Sequence, residues 1–461
     1  LPKMGGGLMA LLAVGPQDQY ISQSPEMTYW RQVYKRHTNF AMESIQQTFM
    51  TAPVLNSSQN QFTCRIGRYG DLLGQVFMSV ELPDIYSDGN LRFRWVNNIG
   101  CMLLQHYYVD VDTQRIDERW GEFMDIWNEL TQTSEKKQAF NRMSGNTGDV
   151  VNPVSLQRKV TINNNNLSYT FYPAATATAP SIKGRRIYIP LDFWFTKSNV
   201  MALPLVGLQY QNIDITVELR AITDLYQVWD TREGINGGYI SPVTYMSRYP
   251  GVDVSISRFT AFGGGGPSMV YLNSFLECNY IYLDNIERNY VAVSNTDYLV
   301  ERVYRNEVGS VKGIGVLDLT VSNPIKELVF VFRRSDATDY NDWSNYTGTQ
   351  PASDAAVILD SAKIMFNGSD YIDVKDAAYF NLLQPYQYHS GFPRRGIYSY
   401  SFALFPEKMQ PSGSFNATMI NKVQLYVTLT DSTIQYDTFV YSVYYNMFRV
   451  ISGSGAMVFS M

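Results

Sequence analysis

The residues with the chemistry for catalysis or metal binding are few: three histidines, three cysteines and two groups of closely spaced acids. His37 follows Lys35 and Arg36, His106 sits in a strand-like stretch at 103–109, and His389 lies in a loop rich in Pro and Tyr. Zinc chemistry needs ligands at short helical or turn spacing, and neither HExxH nor a histidine pair occurs. A nucleophilic triad needs one of these histidines beside an activated Ser or Cys. There is no GxSxG elbow, and Cys64 and Cys278 fall on strand-like segments as small apolar residues do. The glycine run at 263–266 is followed by Pro267, not Lys-Ser/Thr, and reads as a flexible loop. Asp110 with Asp112, and Asp370 with Asp373 and Asp376, carry the oxygens that calcium or a glycosidase needs, but Asp110 and Asp112 on one strand share a face that reads as a solvated edge. No cofactor and no metal are expected. Asn-x-Ser/Thr triplets make Asn56, Asn166, Asn345, Asn367 and Asn416 the candidate glycosylation sites.

The chain that must position these residues has 461 of them, more than one hydrophobic core usually serves. Aromatics reach 14% against only 17% charged residues, which favours pleated sheets over helices and a surface largely buried against other protein. The net charge of −5 lacks the basic field that phosphate neutralisation demands, so direct nucleic-acid binding is not expected. Three scattered cysteines without a CxxC fit a reducing compartment. The apolar run at 8–14 lacks a small-residue cleavage pattern behind it, so no secretory or lipidation signal is read there.

Alternation of apolar and polar residues dominates. Ile213, Ile215, Val217 and Leu219 alternate with Asp214, Thr216 and Glu218; Val423, Leu425, Val427 and Leu429 alternate with Gln424, Tyr426 and Thr428. Period two marks a strand with one face on a core. The segment 328–332 is apolar on both faces and reads as a strand covered on both sides. Between 116 and 143 the period changes. Trp120, Phe123, Met124, Trp127 and Leu130 recur at intervals of three and four, with Asp117, Glu118, Glu122, Asp125 and Glu129 on the other face. This predicts an inserted amphipathic helix capping the end of a sandwich, its acids in solvent.

The expected organisation is an arm at 1–25, a first sandwich at 26–222 with the helical insertion at about 116–143, a linker at 223–245 marked by Gly234, Gly237, Gly238 and Pro242, and a second sandwich at 246–461. One spacing relates the halves. Aromatic strands ending at Phe195 and Phe405 each precede, by 18 residues, the alternating strands that begin at Ile213 and Val423. The fold class is all-β, two tandem sandwiches.

Several blocks resemble a known family. They are Gly5-Gly6-Gly7-Leu8-Met9 through Gln17-Asp18-Gln19-Tyr20, then Tyr34-Lys35-Arg36-His37-Thr38-Asn39-Phe40, the pair Ile189-Pro190-Leu191 and Leu203-Pro204-Leu205, and Asn323-Pro324-Ile325-Lys326-Glu327-Leu328. The longest runs from Phe366-Asn367-Gly368 through Gln384-Pro385-Tyr386, His389 and Phe405-Pro406-Glu407 to Gln410-Pro411-Ser412-Gly413. Together, in this order, they are similar to the major capsid proteins of nucleocytoplasmic large DNA viruses. The resemblance implies two eight-stranded jelly rolls and a homotrimer forming a pseudo-hexagonal capsomer, tiled into an icosahedral shell over an internal membrane. It implies minor capsid and penton proteins as partners, an amino-terminal arm facing the membrane side, sugars on outward loops, and a virion component assembled in the host cytoplasm. Tyr34, Arg36, His37, Asn39, Phe40, Gln384, Pro385, Tyr386, His389, Pro406, Pro411 and Gly413 become assembly residues, not catalytic ones. Long outward loops are expected where the match is weakest, at 161–180 and 336–356. Two other readings compete: a carbohydrate-binding jelly roll that stacks surface Tyr and Trp on sugar rings, and a β-sandwich glycoside hydrolase built on a carboxylate pair.

Overall fold

The computed structural model describes residues 6–30, 35–58, 60–153, 155–162, 165–232, 238–353, 355–393 and 396–459, with backbone alone at 155–162 and 165–171. The chain divides into two units, Leu1–Phe40 and Ala41–Met461, so the boundary read at residue 25 moves to Phe40. The first unit carries two short helices, Gly6–Leu12 and Gln19–Ser22, with no buried side chain in either.

In the second unit the alternating segments become strands, because period-two sequence presents one continuous apolar row to a core. Among the described residues, the first sandwich uses β1 (Phe40–Gln47), β2 (Asn60–Arg65), β3 (Leu72–Leu82), β4 (Leu104–Val111), β5 (Gln114–Trp120), β6 (Arg185–Pro190), β7 (Ile213–Leu219) and β8 (Phe275–Leu283). Their order is β1-β8-β3-β6 in one sheet and β2-β7-β4-β5 in the other. The second sandwich uses β9 (Thr296–Val311), β10 (Ile314–Leu319), β11 (Pro324–Arg334), β12 (Leu359–Phe366), β13 (Ser369–Asp376), β14 (Ile397–Ser401), β15 (Val423–Leu429) and β16 (Tyr436–Ile451). Here the sheets run β9-β16-β11-β14 and β10-β15-β12-β13. Numbered one to eight within each sandwich, both give 1-8-3-6 over 2-7-4-5, the wrapped order of a jelly roll. The sheet 1-8-3-6 is called sheet I below. The expected all-β double jelly roll is what the chain forms.

Successive strands run in opposite directions, so connections alternate between two ends. The long ones of the first roll, at 83–103, 121–184 and 220–274, all emerge at one end. The chain enters and leaves each roll at the other, where a short link, 284–295, carries a helix at Asn285–Val293. Asp284 accepts a hydrogen bond from the amide of Asn285 as its cap, and Arg288 ties the helix to Asp71 at 3.0 Å.

Several expectations are corrected. The linker placed at 223–245 is not one: Tyr226–Asp230 pairs with Leu91–Trp95, and 246–274 continues the connection between β7 and β8. Phe275–Leu283 then pairs with β3, so 246–283 belongs to the first roll. A jelly roll is incomplete without its eighth strand, and the long excursion after β7 looks locally like an exit from the domain. The helical insertion begins at Gly121, not 116, because Gln114–Trp120 is the fifth strand; it comprises α1 (Gly121–Thr131) and α2 (Ser134–Met143). The aromatic segments ending at Phe195 and Phe405 are not strands. Both lie in the connection between strands six and seven of their roll, so the shared spacing of 18 marks equivalent positions.

Of the segment 336–356, residues 341–347 turn inward, not outward. Trp343 and Tyr346 are buried there, the Trp343 indole N–H donates to the Asp224 carbonyl at 2.7 Å, and Asn341 donates to the Tyr226 carbonyl at 2.8 Å. At 161–180 the backbone forms part of a hairpin, Ser155–Ile162 with Asn165–Phe171.

Candidate functional site: the joint between the rolls

Strand β5 passes into α1 without a loop. Gly121 makes this possible, since a Cβ there would lie 2.0 Å from the Cys101 carbonyl oxygen and 2.1 Å from that of Leu104. The helix then projects Phe123, Ile126, Trp127 and Leu130 from one face. That face does not cap its own sandwich. It packs on the outside of sheet I of the second roll, in a cluster with Val303, Val329, Val331, Ile397, Phe439, Tyr441 and Val443. The rings of Phe123 and Tyr441 lie 5.1 Å apart. This explains why β11 is apolar on both faces: its core face meets the second sandwich and its outer face meets a helix of the first.

The acids of α1 are not in solvent either. Glu122 is buried and shared among guanidiniums, with Arg220 at 2.7 Å, Arg333 at 2.8 Å and Arg305 at 3.9 Å. Burial alone would raise its pKa, but Arg333, Arg220 and Arg305 outweigh burial and hold the carboxyl down to about 2. Arg220 belongs to the first roll, Arg305 and Arg333 to the second. Asp125 accepts from Asn98, and Glu129 pairs with Lys137.

A second buried cluster lies lower on the same joint. Glu301 of β9 takes Lys326 of β11 on one oxygen and Lys197 of the first roll on the other, the latter at 2.9 Å. Burial again opposes ionisation, yet the two ammoniums bring Glu301 down to about 2. Lys326 also drops, to about 8: burial dominates, and Glu301 only partly compensates because Lys197 competes for it. Arg119 donates across the joint to the Glu301 carbonyl at 2.9 Å while pairing with Asp117 at 3.3 Å. Removing one partner from a buried pair of this kind leaves the other charge uncompensated.

His389 closes the edge of the joint. Its Nε2 lies 2.6 Å from the Glu327 carboxylate and its Nδ1 3.2 Å from Glu407, with the ring edge-on to Trp127 at 6.2 Å. Burial would lower its pKa, but the two carboxylates raise it to about 9, so the imidazole is a cation at neutral pH. The next residues reach the first roll, where the Gly391 amide donates to the last-turn carbonyl of Leu130 at 2.8 Å.

The other expected assembly residues divide. Gln384 and Pro385 open α3 (Gln384–Tyr388), not a loop; the Gln384 amide donates to the Tyr379 hydroxyl at 3.1 Å and accepts from the Ser401 amide at 3.2 Å. Tyr386 is exposed. Pro406 is buried, while Pro411 and Gly413 are exposed in a turn closed by a hydrogen bond from the Phe405 amide to the Ser412 hydroxyl. Gly413 has φ +139°, and a Cβ on it would sit 2.9 Å from the Phe402 carbonyl oxygen, so glycine is required there. Arg36, His37, Asn39 and Phe40 lie at the end of the first unit, where His37 Nδ1 contacts the Thr38 carbonyl at 2.8 Å and its ring meets Phe40 edge-on. Tyr34 lies outside the described residues.

Of the sequons, Asn345 is corrected. It is buried, and its amide nitrogen donates to Asp342, Thr349 and Gln350, leaving no room for a sugar. Asn367 and Asn416 are exposed, Asn56 is half-buried, and the Asn166 side chain lies outside what is described. Elsewhere, Asp110 pairs with Arg115 at 3.3 Å, Asp112 caps the Asn212 amide, and Asp370 pairs with Lys363 at 2.9 Å. Cys64, Cys101 and Cys278 are buried and form no disulfide; burial pushes the Cys64 thiol up to about 12.

Sequence reasoning missed Glu122, Lys197, Arg220, Glu301, Arg305 and Arg333 as joint residues. Lys326 and Glu327, two charges directly before the apolar run at 328–332, were the available signal.

The fold is the double jelly roll of known capsid proteins. It superimposes on a subunit of the PBCV-1 virus capsid with a TM-score of 0.68 at 24% identity, covering 94% of this chain and 100% of that one. The Faustovirus major capsid protein matches with a TM-score of 0.67 at 14% identity, over 97% and 96% of the two chains. Sequence goes further. The model "Major capsid protein N-terminus" matches residues 28–284 and "Large eukaryotic DNA virus major capsid protein" matches 287–456. The major capsid protein of Pyramimonas orientalis virus is 30% identical, and that of Phaeocystis pouchetii virus 29%, each over 99% of this chain and the whole relative. The chain belongs to the family of major capsid proteins of large eukaryotic DNA viruses.

Proposed function

We propose that this major capsid protein assembles as a homotrimer, a pseudo-hexagonal capsomer of six rolls, and that such trimers tile an icosahedral shell over an internal membrane. The observation that carries the reading is the joint. Two rolls of identical strand order stand side by side with like ends together, fixed by one apolar face and two buried ionic clusters. A chain built in this way is a two-lobed block in which each lobe repeats the same layout of faces. Heterologous contacts between such faces close into rings. The role is structural, and the chain acts in the virion. In this reading the arm at 1–25 faces the membrane side, where minor capsid proteins bind; penton proteins meet the capsomers at the vertices; and exposed sequons such as Asn367 and Asn416 are the places for surface sugars.

Light scattering on the purified chain tests the assembly. A mass near three times 52.6 kDa supports it, and a monomer persisting at high concentration overturns it.

A further inference from the structure

The strand order gives each roll a fifth strand followed by a helical segment. In the first roll that segment starts after Trp120, and in the second after Asp376. Counted from those ends, Phe123, Ile126, Trp127 and Leu130 stand at +3, +6, +7 and +10. Tyr379, Leu382, Leu383 and Tyr386 stand at the same four offsets, on the helical turns Tyr379–Leu383 and Gln384–Tyr388. The first set is covered by sheet I of the second roll. In the second set Tyr379 packs on the core of its own roll, while Leu382 and Leu383 are 44% exposed and Tyr386 84%, around an apolar groove of about 540 Å³ that also takes in Phe392.

The receiving surface also occurs twice. Strands β3 and β11 are both eleven residues long and occupy the same place in sheet I. Across the eighth residue of each runs a row of three: Phe439–Val331–Ile397 in the second roll and Phe275–Ser79–Tyr188 in the first. The next row holds Tyr441 and Val329 in the second roll, and Glu277 and Phe77 in the first. The second-roll rows are buried under α1. On the first roll Tyr188 remains 40% exposed and Phe77 half-buried, beside the exposed Met42 on edge strand β1. Thus one helical knob and one sheet face are mated inside the chain, and one of each is left over.

We propose that the surface formed by Leu382, Leu383 and Tyr386 seats on sheet I of the first roll of a second copy of this chain, around Phe77 and Tyr188. The contact repeats between chains the joint that exists within one. This rests on the self-assembly reading above and specifies the faces it uses. A knob and a face at different places on one molecule form a heterologous contact, which propagates head to tail and closes only when the ring is complete.

Two measurements on the full chain decide it. In analytical ultracentrifugation the double variant Leu382→Asp/Leu383→Asp is expected to be monomeric where the unmodified chain is trimeric, a weakening of about 30-fold or more, and to melt where the unmodified chain melts once diluted to monomer, because both side chains are already half in solvent. In the second, Leu383→Cys and, separately, Tyr188→Cys are labelled with a maleimide. The three native cysteines are fully buried and stay silent. Both new thiols are expected to react at least about tenfold more slowly in the trimer than in dilute monomer. If the trimer forms and either thiol labels at the monomer rate, or the double variant stays trimeric, these faces are not the contact, while the self-assembly reading stands. An unmodified chain that never associates overturns that reading and this one together. Should the double variant misfold, the labelling arm alone decides.

Discussion

The outer faces of sheet I in the two rolls have the same strand order and opposite character. In the second roll the face is Val303, Val329, Val331, Ile397, Phe439, Tyr441 and Val443, dry beneath α1 and ringed by Glu122, Glu301, Arg305 and Arg333. In the first it is Ser44, Gln75, Phe77, Glu81, Arg186, Tyr188 and Glu277, with pairs such as Arg186–Glu81 at 3.0 Å standing in water. A scaffold can therefore fix where a face lies without fixing its chemistry. The cover does that. A face permanently beneath a helix of its own chain can carry unbroken apolar rows, whereas one that waits in solvent must keep charges to stay soluble.

The sharpest way to break this comparison is at the tenth residue of the paired strands and its partners. Glu122→Ala leaves Arg220 and Arg333 buried without their carboxylate, and should destabilise the chain by about 3–5 kcal/mol in urea unfolding; a loss below about 1 kcal/mol would mean that the joint is wetter than described. An intermediate effect is expected from His389. Its pKa rises from 6.5 to about 9 on folding, so its stabilisation is complete below pH 6.5 and is lost as pH climbs toward 9. Lys326 works in the opposite sense: folding lowers it from 10.5 to about 8, so its penalty is present below pH 8 and relieved between 8 and 10.5. Between pH 6.5 and 8 His389 acts without that opposition. Stability should fall there by up to about 2 kcal/mol, and His389→Gln should flatten the slope; an unchanged slope would remove His389 from the joint. The smallest effect belongs to Glu81, which occupies in β3 the place Arg333 holds in β11. Glu81→Ala should change the unfolding free energy of the dilute chain by no more than about 1 kcal/mol, and a larger loss would show that the first-roll face is also closed.

Much of the fold was legible because local period reports which face of a strand is buried. Ile213–Leu219 and Val423–Leu429 form the strands their alternation predicts, and the doubly apolar run at 328–332 is covered on both sides. Periodicity is silent about partners, however. Phe275–Leu283 pairs with residues some two hundred positions earlier, and nothing within nine residues discloses that, so the roll boundary was misplaced. The same limit hid the site. On a lone helix Glu122 and Asp125 read as a solvated face, because the cations that bury Glu122, Arg220 and Arg333, lie 98 and 211 residues away. His389, Gln384 and Gly413 were found through resemblance, but their partners Glu327, Ser401 and Phe402 emerge only in three dimensions.

The short link at 284–295 has a thermodynamic consequence. It keeps the helical knob of one lobe and the receiving sheet of the next on a single tether, so each meets the other at an effective concentration of millimolar order or above, whatever the amount of protein made. That contact can tolerate the desolvation of the ions of both clusters and still form at the first copy synthesised. Its counterpart between separate molecules enjoys no such advantage and must wait for mass action. If the proposed trimer forms through the untethered face, the concentration at which it forms is set by that face, which makes Leu382, Leu383, Tyr386 and Tyr188 the residues through which supply of the protein is converted into trimer.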